Sequence, residues 1–153
     1  MSENVSATGE LPDSQGHLPD DAVVVRGGLM LRQDLIDAAE ECQEILGYPG
    51  LSVNSWPSAR SVAEVAFRVK AVRDQTGKPL LKNGDLRKST AGRIRNAGLD
   101  DRHPFSLIKT GSYEEHYTLR VASPMTSDDW DLLDQIFDAP EINPVGWKAN
   151  YGD

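Results

Sequence analysis

Apolar positions in this chain fall into short blocks of two kinds. Ala22-Val23-Val24-Val25 is a continuous run closed by Arg26 and Gly27-Gly28, the pattern of a strand buried on both faces. The spacing then changes. Leu31, Leu35, Ala38, Ala39, Cys42, Ile45 and Leu46 share one helical stripe, Asp34, Asp37, Glu41 and Glu44 lie opposite, and Gly47 supplies a terminator. A second strand is predicted over 50–55, after Tyr48-Pro49. Ser61-x-x-Glu64 has capping-box form and opens a helix carrying Val62, Val65, Ala66, Val69 and Val72, although the valines lower its intrinsic propensity.

Further along, turn-like segments at 75–79 and 82–85 enclose Leu80-Leu81, the place of an optional strand. A short helix is predicted over 90–97, capped by Ser89 and stopped by Gly98. Residues 104–109 and 115–121 read as a hairpin around Thr110-Gly111-Ser112. An acidic helix over 127–137 follows. Its apolar side is Trp130, Leu133, Ile136 and Phe137, and Asp128 and Asp129 suit its first turn. The order β-α-β-α-(β)-α-β-β-α predicts an α/β (α+β) fold, a small mixed sheet with helices packed on it in two layers.

The expected organisation is a disordered N-terminal tail over 1–20, a single α/β domain over 21–138 and a C-terminal tail over 139–153. That last segment keeps Ile142, Val145, Trp147 and Tyr151 and is expected to dock on its own domain or on a partner. At 153 residues, 39% hydrophobic and 26% charged, the chain suits one soluble domain. No apolar run approaches the roughly 20 residues of a membrane span. Residues 1–21 hold neither Lys nor Arg, unlike a secretory signal, and Cys42 is the only cysteine, so a cytoplasmic setting is expected.

Charge is distributed unevenly. The chain carries −8, yet residues 60–95 hold ten Lys and Arg against Glu64, Asp74 and Asp85, a local +7 that leaves −15 elsewhere. Such a field steers partners of opposite sign. Lys82, Arg87, Lys88, Arg93 and Arg95 are the candidate contacts, with an acidic protein partner favoured over nucleic acid. Neither zinc spacing nor a helix-turn-helix pattern accompanies the cluster. The competing explanation is internal: Asp128, Asp129, Asp131, Asp134, Asp138 and Glu141 form an acidic segment that the basic residues could meet.

Other constellations point to specific chemistry. Arg26 with Gly27-Gly28 before a helix could hold an anion through its guanidinium and exposed N–H groups. His103, Glu114, Glu115 and His116 could supply metal ligands or an acid–base pair, but strand alternation disperses them, so no metal is assigned. Cys42, on the apolar stripe, reads as a small core residue.

The segments 18–28 (LPDDAVVVRGG), 51–53 (LSV) and Ser89-Thr90-x-x-Arg93-Ile94-x-x-Ala97-Gly98 resemble small bacterial proteins of the actinobacterial type, of unassigned function, associated with mobile-element or toxin–antitoxin neighbourhoods. The resemblance implies a bacterial cytosolic setting and no chemistry. The order Arg26, Ser52 or Ser55, then Glu115 is similar to the Arg-Ser-Glu class of ADP-ribosyltransferases. That likeness implies Arg26 on the phosphates of NAD, a serine positioning the glutamate, and Glu115 as the catalytic group. Leu51-Ser52-Val53-Asn54-Ser55 departs from that class's Ser-Thr-Ser. The expectation is therefore a non-enzymatic binding protein without a cofactor that uses its basic centre, and the alternative is an NAD-using toxin.

Overall fold

The computed structural model describes residues 17–98 and 101–147. Its elements are β1 (Val23–Gly27), α1 (Arg32–Leu46), β2 (Gly50–Ser55), α2 (Val62–Thr76), β3 (Asp85–Thr90), α3 (Ala91–Asn96), β4 (Phe105–Lys109), β5 (His116–Val121), α4 (Ser127–Ile136) and β6 (Glu141–Ile142). The strands form one sheet in the order β4-β5-β2-β1-β3-β6. Helices pack on this open sheet, giving the α+β class that the element order implied, but they cover both faces, so the two layers expected are three. Every ladder is antiparallel, whereas a mixed sheet was expected. Hydrophobic periodicity marks a strand without recording its direction.

The valine run lies between two cores. Val24 joins Leu51, Val53, Tyr117, Leu119 and Val121 from the sheet, Leu35 and Ala39 from α1, Ile94 from α3, and Leu133 and Phe137 from α4. Val23 and Val25 point the other way, against Ala59 and the Val62, Val65, Ala66 and Val69 side of α2, with Leu81, Leu86 and Val145. Each fully buried Val, Leu, Ile or Phe among them contributes about 1.5–3 kcal/mol of transfer free energy.

Caps follow from local chemistry. Ser61 Oγ accepts the Glu64 N–H at 3.2 Å. Thr126 and Asp129 form a reciprocal capping box at the start of α4. Thr90 rather than Ser89 caps α3, because the Ser89 hydroxyl donates to the Ile136 carbonyl at 2.6 Å.

Two elements differ from expectation. The third strand lies at β3 and not at Leu80-Leu81, since Leu81 takes a positive φ of 50°. Its Asp-Leu-Arg-Lys-Ser-Thr sequence reads as polar loop, yet Arg87 and Ser89 are buried against α4. At the chain ends, Leu18 is 1% exposed within the first core, so packing begins inside the expected tail. The segment after 138 docks through β6 against β3, with Val145 buried. Residues 1–16 and 148–153, Tyr151 included, lie outside the described residues. Among the described residues no helix is long and apolar enough to cross a membrane.

Candidate functional site

β1 and β2 pair only through Val24↔Ser55 and Val25↔Asn54. Beyond that point β2 continues on β5 alone, with Ser52 opposite Thr118 and Asn54 opposite His116. Arg26 lies just past the last β1–β2 pair, and its Nη1 donates to the Ser52 carbonyl at 2.7 Å. Two adjoining clefts of about 430 Å³ each share Arg26, Ser52, Gly111 and His116. One is bounded by the Ala38, Cys42 and Ile45 side of α1, the other by Lys78, Leu81 and Asn83.

The Gly27-Gly28 pair serves the turn rather than an anion. Gly28 has φ 90°, and its N–H donates to the Asp85 carbonyl at 2.8 Å. A Cβ on Gly27 would lie 2.8 Å from Asn83 Oδ1. The helix starts only at Arg32.

Arg26 differs from the other arginines of the chain. Arg32, Arg60, Arg68, Arg87, Arg93, Arg95 and Arg102 each pair with a carboxylate. Arg73 donates to the carbonyls of Leu80, Leu81 and Val145, and Arg120 stacks over Tyr48 at 4.3 Å. Arg26 is half-buried without a carboxylate in ion-pairing range among the described residues, and its Nε is buried with no hydrogen-bond partner. Desolvation lowers its pKa, with Asp34 opposing at longer range. A buried guanidinium nitrogen left without an acceptor carries a desolvation cost.

The cleft wall is polar and ordered. His116 Nδ1 lies 3.1 Å from the Thr110 carbonyl and 3.2 Å from the Thr110 hydroxyl, and the carbonyl, which can only accept, favours the tautomer with the proton on Nδ1. Nε2 then offers its lone pair to Ser52 Oγ at 3.3 Å. The two residues are diagonal neighbours on one sheet face, within reach for a ring and a hydroxyl. Burial lowers the His116 pKa, the Thr110 carbonyl opposes this, and Lys109 adds a smaller lowering. Tyr113 donates to Asn54 Oδ1 at 3.0 Å, and burial with Glu115 pushes its phenol up to about 12, so it stays a donor. Lys109 Nζ bonds the carbonyls of Thr110 and Tyr113, each at 2.9 Å, and so holds the β4–β5 turn in shape.

The remaining candidates are placed as follows. Ser55 is fully buried and donates to the Val23 carbonyl at 2.6 Å. Glu115 is buried and bonded by Arg68 Nε at 2.8 Å, outside both clefts. Of the Arg-Ser-Glu set, only Arg26 and Ser52 meet.

The basic stretch is largely neutralised from within. Arg87 pairs with Asp134, Lys88 with Glu141, Arg93 with Asp138 and Arg95 with Asp20. Lys82 is exposed, and its carbonyl accepts the Trp147 N–H at 2.9 Å. His103 bonds the Ala97 carbonyl, away from His116, and no cluster of metal-ligating residues occurs among the described residues. Cys42 is half-buried on the cleft wall rather than in the core, with its thiol pKa raised by desolvation. Trp56 lies beneath the Arg68 guanidinium at 3.6 Å.

A further cavity, about 690 Å³ between α1 and residues 121–125, gathers Glu40, Glu44, Ile36 and Trp130 without a convergent set of donors. No protein-family model, curated protein or solved structure matches the chain. Sequence reasoning missed the Ser52–His116 pair. The residues are 64 positions apart and are joined only by the β2–β5 register.

Proposed function

We propose that this chain binds a small anionic ligand, bearing a carboxylate or phosphate group, in the cleft floored by Arg26. The observation that carries the reading is the half-buried guanidinium at a cleft, with one carbonyl partner, an Nε without a hydrogen bond and, among the described residues, no carboxylate in ion-pairing range. An arriving anion would supply charge-assisted hydrogen bonds of the kind that guanidinium geometry favours. Ser52, Asn54, Tyr113 and Lys78 are placed to complete the polar contacts.

Two earlier expectations have less support. A partner recognised by Arg87, Lys88, Arg93 and Arg95 would have to compete with the acidic groups that already face them. Transfer from NAD would need Glu115 in the same cleft, and its carboxylate is held by Arg68.

Calorimetric titration with adipate and with inorganic phosphate tests the reading. Wild type should bind at least one of them, and Arg26→Met should weaken binding about tenfold or more. The same variant should melt at or above the wild-type temperature, since an apolar chain of similar length removes the buried Nε that has no acceptor. Equal binding by wild type and Arg26→Met, or a marked drop in melting temperature, would show that Arg26 is there for folding.

A further inference from the structure

The Ser52–His116 geometry goes beyond recognition of an anion. We infer that Ser52 is a nucleophile and His116 its general base, and that together they hydrolyse a small ester whose acyl part carries an anionic group. This rests on the binding reading above for the position of the substrate, whereas the reactive pair stands on its own geometry.

Four observations converge on this assignment. The Thr110 carbonyl favours the ring tautomer whose Nε2 lone pair faces Ser52 Oγ, the three-member logic of an activated serine with a carbonyl as orienting group. Ser52 is exposed on its strand and faces the cleft. Gly111, at φ 80°, leaves room for the ring, because a Cβ there would lie 2.5 Å from His116 Nδ1. The Thr110 and Thr118 hydroxyls, 2.6 Å apart and buried, brace the same wall. The charged and titratable groups lining these clefts are Arg26, Glu41, Cys42, Lys78 and Tyr113, with Lys109 close to the ring. A half-buried ring near cations remains neutral, the form a base requires.

The chemistry closes without a co-reactant other than water. Ser52 Oγ attacks the ester carbonyl carbon as its proton passes to His116 Nε2. The tetrahedral adduct collapses, the bond to the alcohol oxygen breaks, and that oxygen leaves with the proton from Nε2. Water then gives a proton to Nε2 as its oxygen bonds to the acyl carbon. The acyl–Ser52 bond breaks, and Oγ regains its proton. Arg26 binds the distal anionic group throughout, so the preferred substrate is a half-ester of a short dicarboxylic acid.

The test uses the full chain with the mono-4-nitrophenyl ester of adipic acid and, as neutral comparator, 4-nitrophenyl pentanoate. Nitrophenolate release should show saturation, and intact-mass and peptide mapping should place an adipoyl group on Ser52. Ser52→Ala should lose both turnover and adduct. His116→Gln should lower the acylation rate by about 10²-fold or more. Arg26→Met should cut the preference for the anionic ester about tenfold, chiefly through KM. An adduct on Cys42 or Lys109 alone, or undiminished turnover by Ser52→Ala, overturns the inference. Adipate binding without turnover or adduct overturns the acyl-transfer step and leaves the binding cleft standing. Neither binding nor turnover overturns both. Mapping on the wild-type chain decides the matter even if a variant folds poorly.

Discussion

Single residues in this molecule divide by how well their polar atoms are matched. Arg73 and Arg87 are more buried than Arg26, and each donates to several carbonyls, Arg87 adding a carboxylate. Arg26 has one carbonyl, and that contrast marks the cleft. A second residue-scale signal is Gly111, whose positive φ and closeness to the His116 ring forbid a side chain. Gly111→Ala should cost about 2 kcal/mol through backbone strain and displacement of the ring. The urea midpoint reads the first effect and the histidine NMR shifts the second. An alanine variant with unchanged stability and unchanged ring resonances would show that the turn can yield.

The clearest device between elements is the attachment of α4 to β3. This helix has no basic residue in its own last turn, and β3 supplies one from outside. Arg87 Nη2 donates to the carbonyls of Asp134 and Phe137, each at 2.9 Å, while Nε reaches the Asp138 carbonyl and Nη1 the Asp134 carboxylate. The Ser89 hydroxyl and the Lys88 carbonyl add bonds to the same helix end. The cationic cluster so visible in the sequence is thus partly a clamp on a helix C-terminus, where the dipole favours positive charge. Arg87→Leu should destabilise by about 2–3 kcal/mol, because buried carbonyls lose charge-assisted donors. Arg93→Ala, at a partly exposed pair with Asp138, should cost less than about 1 kcal/mol. Equal effects in chemical denaturation would contradict the clamp.

At the scale of the whole molecule, acid stability is set chiefly by His116 and Asp129, with Asp74 also lowered by its exposed hydrogen bond from Lys70. His116 falls below its ordinary 6.5 chiefly through burial, so the unfolded chain takes up that proton first. Stability should therefore decline as pH drops below about 6.5, with the loss complete below the folded-state value. Asp129 falls below its ordinary 3.8 chiefly through its hydrogen bond from Arg102, so a second decline begins below about 4. Urea midpoints measured against pH should show both steps, and His116→Gln should remove the first alone. A midpoint indifferent to pH between 7 and 5 in wild type would refute the assignment of a neutral, desolvated ring.

How much of this was legible beforehand depended on the range of the interaction. The Val23-Val24-Val25 strand, the Ser61 cap, the existence of α1 and the β4–β5 hairpin were readable because propensity, capping and periodicity act over a few neighbouring residues. Of the expected α1 stripe, however, only Leu35 and Ala39 are buried, and Leu31 and Ile45 are exposed. Arg26 and Ser52 were nameable as residue types. Glu115 was grouped with them by chain order, although an ion pair with α2 holds it elsewhere. Strand direction, the concealed strand β3, the clamp of Arg87 on α4 and the meeting of Ser52 with His116 were settled only by tertiary structure. Each depends on a pairing register or on burial between segments dozens of residues apart, and local sequence carries no record of either.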